Sequence, residues 1–170
     1  MVPVLAATDI DLSHYLGHWY EIARYNSWFE GANTTDNSAT YVIGDDQTIQ
    51  VTNRCNPHSW WGRSEAVGVA KVGPEGSTAK LLVSFSSWAP WGDYWILGVG
   101  RDTHTGYYPW SLVGTPDRKY LWILSRTTSM TLADFNDARA CAISNDFDVT
   151  RLTYVKHEAN EERELRELFS

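Results

Sequence analysis

Cysteine is almost absent from this chain. Cys55 and Cys141 are the only two, 86 positions apart, and no Cys or His motif with metal-ligand spacing accompanies them. The five histidines, His14, His18, His58, His104 and His157, are scattered and read as solvated or capping residues, so no metal is expected. If the two cysteines paired, closing so long a loop would contribute about 4 to 5 kcal/mol by chain-entropy reasoning. A buried free thiol on a helix face is as common an outcome, so the pairing stays open. Basic residues are also scarce. Fourteen Lys and Arg stand against 21 Asp and Glu, a formal net charge of −7, which excludes the basic face a nucleic-acid partner requires. No apolar run is long enough to span a bilayer. Met1 to Ala7 carries neither a basic start nor a full-length apolar core, so it does not read as a signal peptide. There is no Gly-x-Ser-x-Gly elbow, phosphate loop or dinucleotide fingerprint, and hence no expected catalytic residue or cofactor. With no internal repeat and no linker, residues 1–170 read as a single domain.

What the chain has in excess is aromatic surface: 14% of its residues, with nine Trp and nine Tyr. So many large rings do not all fit in the core of one small domain, and some should line or rim a site. Period-2 segments bounded by turn residues recur at short spacing, which predicts an all-β, eight-stranded, antiparallel up-and-down β-barrel. The strands are expected at about Trp19 to Tyr25, Ser38 to Ile43, Thr48 to Asn53, Ser64 to Val72, Ala79 to Ser86, Tyr94 to Gly100, Tyr108 to Gly114 and Lys119 to Ser125. The barrel thus runs from about 17 to 126. The period then changes. Thr131 and Asp134 fit a capping box, and Leu132, Phe135, Ala138 and Cys141 or Ala142 recur at helical spacing, predicting a helix over about 131–144 packed outside the barrel. Asn145 is expected as its left-handed stop. A short strand over about 149–155 and a charged tail, 156–170, complete the chain.

The stretch around which the rest is organised is Gly17-His18-Trp19-Tyr20-Glu21-Ile22-Ala23-Arg24, where the first strand begins. A glycine permits a tight bend there, and the indole of Trp19 needs a cover. Arg126 supplies one candidate, at the end of the apolar strand Tyr120-Leu121-Trp122-Ile123-Leu124-Ser125, because a guanidinium stacks well on an indole. At this point the chain resembles a lipocalin, of the bacterial outer-membrane and apolipoprotein D-like kind, from about Leu12 to Tyr154. "YLGHWYEIARY" is similar to the first motif of that family, "TPDRKYLWILSRT" to the third, and "KLLVSF…YWIL" to the central strands. The resemblance implies export to the periplasm, the outer membrane or the cell exterior, the leader or anchor having been removed from this chain.

In an up-and-down barrel the loops alternate between the two ends, and the first, third, fifth and seventh share one mouth. Trp28 and Phe29 fall in the first, Trp60 and Trp61 in the third, Trp88 and Trp91 in the fifth. The even loops are short, polar and free of tryptophan, and Gly17, Trp19 and Arg126 belong to their end, the closed one. A ring-rich mouth suits an apolar ligand or brief contact with a membrane surface. The absence of a neighbouring basic cluster argues against firm docking.

Alternation in the fifth strand turns Leu81, Val83 and Phe85 inward. By similarity to the ligand-lining positions of apolipoprotein D-like proteins, Tyr41, Asn53, Phe85, Tyr94 and Trp122 also face the cavity, and Ile96 is placed with them. Apolar walls supply affinity and a few polar groups fix a head. The expected function is therefore the binding, transport or scavenging of a small apolar ligand such as a fatty acid or lysophospholipid. Two alternatives share the fold. One is an enzyme acting on an apolar substrate, for which Glu65, Asp93, Cys55 and His58 are the ionisable residues nearest the mouth. The other is a pigment or haem carrier. Oligomeric state is not legible in the sequence.

Overall fold

In a computed structural model of the protein, residues 3–8, 10–26, 34–44, 46, 48–56, 64–87 and 90–158 are described. A four-residue helix, α1 (Leu12–Tyr15), precedes eight strands: β1 (Gly17–Tyr25), β2 (Thr35–Ile43), β3 (Ile49–Asn56), β4 (Ser64–Val72), β5 (Lys80–Ser84), β6 (Gly92–Val99), β7 (Trp110–Gly114) and β8 (Leu121–Ser125). After them come α2 (Leu132–Ser144), a single 3-10 turn (Val149–Arg151) and β9 (Leu152–Tyr154). Each strand pairs antiparallel with the next, β8 returns to β1, and β1 pairs with β2, so the sheet closes into a barrel to which β9 is added on β1.

Two apolar clusters divide the strand residues by face. One fills the lower barrel and includes Tyr15, Trp19, Tyr41, Val51, Leu81, Ile96, Val113 and Leu124. The other lies outside, where Ala23, Tyr25, Leu97, Trp110, Leu112, Leu121 and Ile123 meet Ala138 and Ala142 of α2. Small residues set the distance between helix and wall. A Cβ on Gly98 would lie 2.8 Å from the Cys141 sulfur, so glycine is what lets α2 approach β6. Helix α2 starts as its sequence requires, with Thr131 accepting from the Asp134 amide at 3.1 Å and donating to the Asp134 carboxylate at 2.8 Å. Its end differs from expectation. Asn145 is not left-handed (φ −97°); Asp146 is, at φ +60°. The Phe147 amide reaches Ala142 O and the Asp146 amide Ile143 O, a Schellman closure one residue later than foreseen. Asn145 has other work: its side chain accepts from the Leu5 amide at 2.7 Å and donates to Cys141 O at 3.1 Å.

No disulfide joins Cys55 and Cys141. Cys55 lies on β3 opposite Ser64, whereas Cys141 points its thiol at Leu97 O on the helix side, and burial there pushes that thiol up. His157 departs from the solvated reading given above: it is only 3% exposed, under Tyr20.

Candidate ligand site

The closed end is built from α1, the start of β1 and the residue after β8. Asp11 caps α1 by accepting from the Ser13 amide, and Gly17 then turns the chain at φ +97°, a conformation glycine adopts without penalty. Trp19 is fully buried, donating its indole N–H to Tyr15 O at 2.9 Å. Arg126 lies over that indole, 3.7 Å from its centroid, and donates to the carbonyls of His18 (2.8 Å), His14 (2.8 Å) and Tyr15 (3.2 Å). One guanidinium thereby ties β8, β1 and α1 together across the floor.

Above the indole is a polar tier. Tyr94 shares its hydroxyl with Tyr15 and Tyr41, each at 2.9 Å, and Tyr15 reaches Ser111 at 3.0 Å. Burial pushes the Tyr15 phenol up to about 12 and raises Tyr41 and Tyr94 as well; the neighbouring Tyr15 and Tyr41 raise Tyr94 further, whereas the hydrogen bond from Tyr94 offsets part of the rise at Tyr15 and Tyr41. The chain Ser111, Tyr15, Tyr94, Tyr41 has four hydroxyl protons and three links, so one donor remains to be used outside it.

Higher still, the inward face stops being filled. Leu81 and Ile96 are wholly buried in the floor, but Val83, Trp122, Asn53 and Ala39 keep accessible surface and Phe85 is 41% exposed. Asn53 faces inward because it is paired with Ala39, which packs on the inner cluster. Phe85 lies over Gly68, where an added Cβ would sit 2.7 Å from the ring and 2.6 Å from Ser84 O. Trp122 stacks on Tyr120 at 5.8 Å. Tyr41, Leu81, Val83, Tyr94, Ile96 and Trp122 are thus brought together on one inner surface, with Asn53 and Phe85 above them. Apolar residues on the inner face of a closed barrel that remain accessible mark an unfilled cup. A separate apolar cleft of about 120 Å³ outside the floor, lined by Leu12, Leu16, Ile43 and Val72, is smaller than the few hundred Å³ a drug-sized ligand needs.

Sequence reasoning missed the charged pair on this wall. β1 carries an irregularity between Glu21 and Ala23, which puts Ile22 and Ala23 on the outer face and returns Arg24 to the inside opposite Trp122. Arg24 (1% exposed) bonds Glu21 (8%) at 2.7 Å, Thr34 at 3.0 Å and, with the amide oxygen of Asn37 turned to it, that oxygen at 3.0 Å. Period 2 from Trp19 already puts Glu21 inside, a signal that was available; the bulge that redirects Arg24 leaves no mark in the residue pattern.

Of the residues foreseen for chemistry, those described, Glu65, Asp93 and Cys55, are not gathered. Glu65 is paired with Arg54 at 2.7 Å on the exposed outer face, and Asp93 is exposed two strands away on β6, opposite Leu82. His58 lies outside the described residues, as do Trp28, Phe29, Trp60, Trp61 and Trp88 of the expected rim. Trp91 is described and corrects the rim assignment. It stands 43% exposed under the Lys71 ammonium (4.1 Å), and Lys71 belongs to the outward face of β4, so this ring covers the outer wall.

Among the described residues the antiparallel barrel is closed below by an indole and a guanidinium, and its inner side chains become more accessible toward the other end, which is the build of a ligand-binding β-barrel. Residues 10–157 match the family model described as a lipocalin-like domain. The chain is 38% identical over 157 residues to the outer membrane lipoprotein Blc of Citrobacter freundii, covering 90% of this chain and 82% of that protein. It is 35% identical over 149 residues to temperature-induced lipocalin-1 of Arabidopsis thaliana (84% and 77% covered) and 31% identical over 158 residues to apolipoprotein D of Rattus norvegicus (89% and 79%). Among solved structures, insecticyanin of the tobacco hornworm Manduca sexta matches with a TM-score of 0.71 at 19% identity, covering 91% of this chain and 85% of that one, a likeness of fold. The chain belongs to the lipocalin family, which binds small hydrophobic ligands.

Proposed function

We propose that this protein binds, and carries or scavenges, a single-chain amphiphile, a fatty acid or lysophospholipid, within the barrel. The observation that carries the reading is the gradient of exposure along the inner wall, from the buried floor at Leu81 and Ile96 to accessible Val83, Phe85 and Trp122. A chain lying against those three side chains gains affinity from apolar contact. Asn53, whose amide makes no hydrogen bond among the described residues, and the hydroxyls of Tyr41 and Tyr94 are the polar groups that orient the head. Binding needs no chemistry beyond burial and hydrogen bonding. The family relatives include outer membrane lipoproteins and an apolipoprotein, which supports export of this protein too. The rings of Trp28, Phe29, Trp60, Trp61 and Trp88 support transient contact between the mouth and a membrane surface during loading. Liposome co-sedimentation that is unchanged when Trp60, Trp61 and Trp88 become serine contradicts that contact.

The test of the pocket is the double variant Phe85→Ala, Trp122→Ala, read with a fluorescent fatty acid. Both side chains are partly accessible, so the variant is expected to fold while its affinity falls by about tenfold or more. Unchanged affinity in the folded variant refutes the assigned wall.

A further inference from the structure

The seam between β1 and β2 is closed along only part of its length. β1 pairs with β2 from Gly17 to Tyr20, but from Ala23 to Tyr25 the same edge is taken by β9. β2 is turned aside at Asp36, which has φ +54° and lies within a break of register between Thr35 and Ser38. The segment that follows β9 fills the wedge. The Val155 amide donates to Ile22 O at 2.9 Å on one side, and the Asp36 amide donates to Lys156 O at 2.8 Å on the other. The Glu158 amide then donates to Asp36 Oδ1 at 2.9 Å. From within the barrel, Arg24 spans the same seam through Thr34 and Asn37.

His157 sits in the crotch of this wedge. Its Nε2 is 2.8 Å from Glu21 O, and a carbonyl only accepts, so Nε2 carries a hydrogen. In the neutral ring Nδ1 is then a bare lone pair. It is buried, has no hydrogen-bond partner among the described residues, and lies 3.8 Å from Asp36 Oδ1. Asp36 Oδ2 already accepts from Asn56 Nδ2 (2.8 Å) and Thr35 Oγ1 (3.1 Å), whereas among the described residues Oδ1 accepts only from the Glu158 amide. One acceptor direction is therefore left on the oxygen nearest Nδ1. Of the other groups around the ring, Tyr20 offers its aromatic face from β1, and the Glu21 carboxylate is turned inward onto Arg24. Lys156 and Glu158 flank the histidine on its own segment.

We propose that His157 and Asp36 form a proton-operated clasp that holds the C-terminal arm, Leu152–Glu158, across the split seam of the barrel. A proton taken from solvent at Nδ1 converts two facing lone pairs into a charge-assisted N–H to carboxylate bond. Its loss returns an unpaired buried acceptor beside a carboxylate, and the arm loosens. The sign follows from the geometry: the clasp favours the protonated ring, so its hold is stronger in acid and weaker in base. Lifting the arm uncovers the upper β1–β2 edge and widens the cup beside Arg24. That second consequence rests on the reading that the cup takes a ligand.

Hydrogen exchange of the intact chain between pH 5 and 8, corrected for intrinsic amide chemistry, tests the clasp without any ligand. Protection of the Val155 and Glu158 amides is expected to fall by about tenfold across that interval in the wild type. In Asp36→Asn the fall is expected to shrink to less than about twofold, since asparagine accepts φ +54° and keeps the acceptor of the Glu158 amide but not the charge. His157→Gln serves as a second variant with the same expectation. Protection that ignores pH in the wild type, or changes equally in both variants, overturns the clasp. Stopped-flow association of a fluorescent fatty acid, measured on the same samples, is expected to speed up with pH in the wild type alone. Rates that ignore a working clasp overturn its control of the seam. Failure of the probe to bind at any pH refutes the cup reading and leaves the exchange result to decide the clasp.

Discussion

Replacing Arg126 by alanine is the sharpest perturbation of the closed end. The guanidinium makes four hydrogen bonds to main-chain carbonyls, three at 2.8 to 3.2 Å and a long one to Tyr108 O at 3.4 Å, and stacks on Trp19 at 3.7 Å. A hydrogen bond from a charged group contributes about 1.5–3 kcal/mol, and a partly desolvated cation over an indole about 1–2 kcal/mol. These do not add. His14 and His18 are exposed, so water can replace the guanidinium at their two carbonyls, whereas Tyr15 O and Tyr108 O lie deeper and the face of Trp19 would be uncovered. A net loss of about 3–4 kcal/mol follows, a large share of the stability of a domain of this size. Arg126→Lys keeps the charge but reaches one carbonyl at a time and stacks poorly, so it should lose about 1.5–2 kcal/mol. Urea denaturation followed by far-UV circular dichroism reads both: the midpoint drops in that order while the slope stays near the wild-type value. An Arg126→Ala variant within about 0.5 kcal/mol of wild type would refute the reasoning, because it would mean that the floor holds without its clamp.

Two further outcomes follow from the packing and the buried phenols. Gly98→Ala places a methyl 2.8 Å from the Cys141 sulfur and should cost about 1–3 kcal/mol by pushing α2 off β6; Cys141→Ala in the same chain should recover most of it, and no recovery would locate the strain elsewhere. Tyr15 titrates near 12 in the folded protein against about 10 when unfolded, so its contribution to stability is complete below pH 10 and disappears as pH rises from about 10 to 12. Alkaline denaturation should therefore be less steep in Tyr15→Phe than in the wild type, and identical pH profiles would contradict the buried hydroxyl tier.

The barrel was legible because its physical signal repeats. Eight period-2 segments separated by polar turns, followed by a capped segment of helical period, leave few alternatives, and each predicted strand overlaps the observed one. The meeting of Trp19 with Arg126 was legible for a different reason, a large ring at the start of the first strand and a planar cation just after the eighth, both at the same end of the barrel. What escaped depended on local geometry that residue types do not encode. The four residues of α1 are too few to show a period. The bulge after Glu21 reverses the facing of Arg24, and an ion pair in the cup was missed with it. Asn145 has the composition of a left-handed cap, yet its amide is committed to Leu5 and Cys141, and Asp146 takes the turn. Trp91 was grouped with the mouth by loop number; alternation along β6 turns it to the outside, where Lys71 covers it. His157 was read with a charged tail, and only the return of the chain to the β1–β2 seam buries it.

The central claim is that the upper barrel encloses the apolar chain of one ligand molecule. Isothermal titration calorimetry with a lysophospholipid kept below its micelle concentration, repeated at several temperatures, tests it most directly, since burial of apolar surface gives a negative heat-capacity change whatever the sign of the enthalpy. The account predicts about one ligand per chain and a clearly negative change that shrinks in the Phe85→Ala, Trp122→Ala variant. Binding with a heat-capacity change near zero, or no binding at any temperature to the lysophospholipid or to a fatty acid, would contradict it.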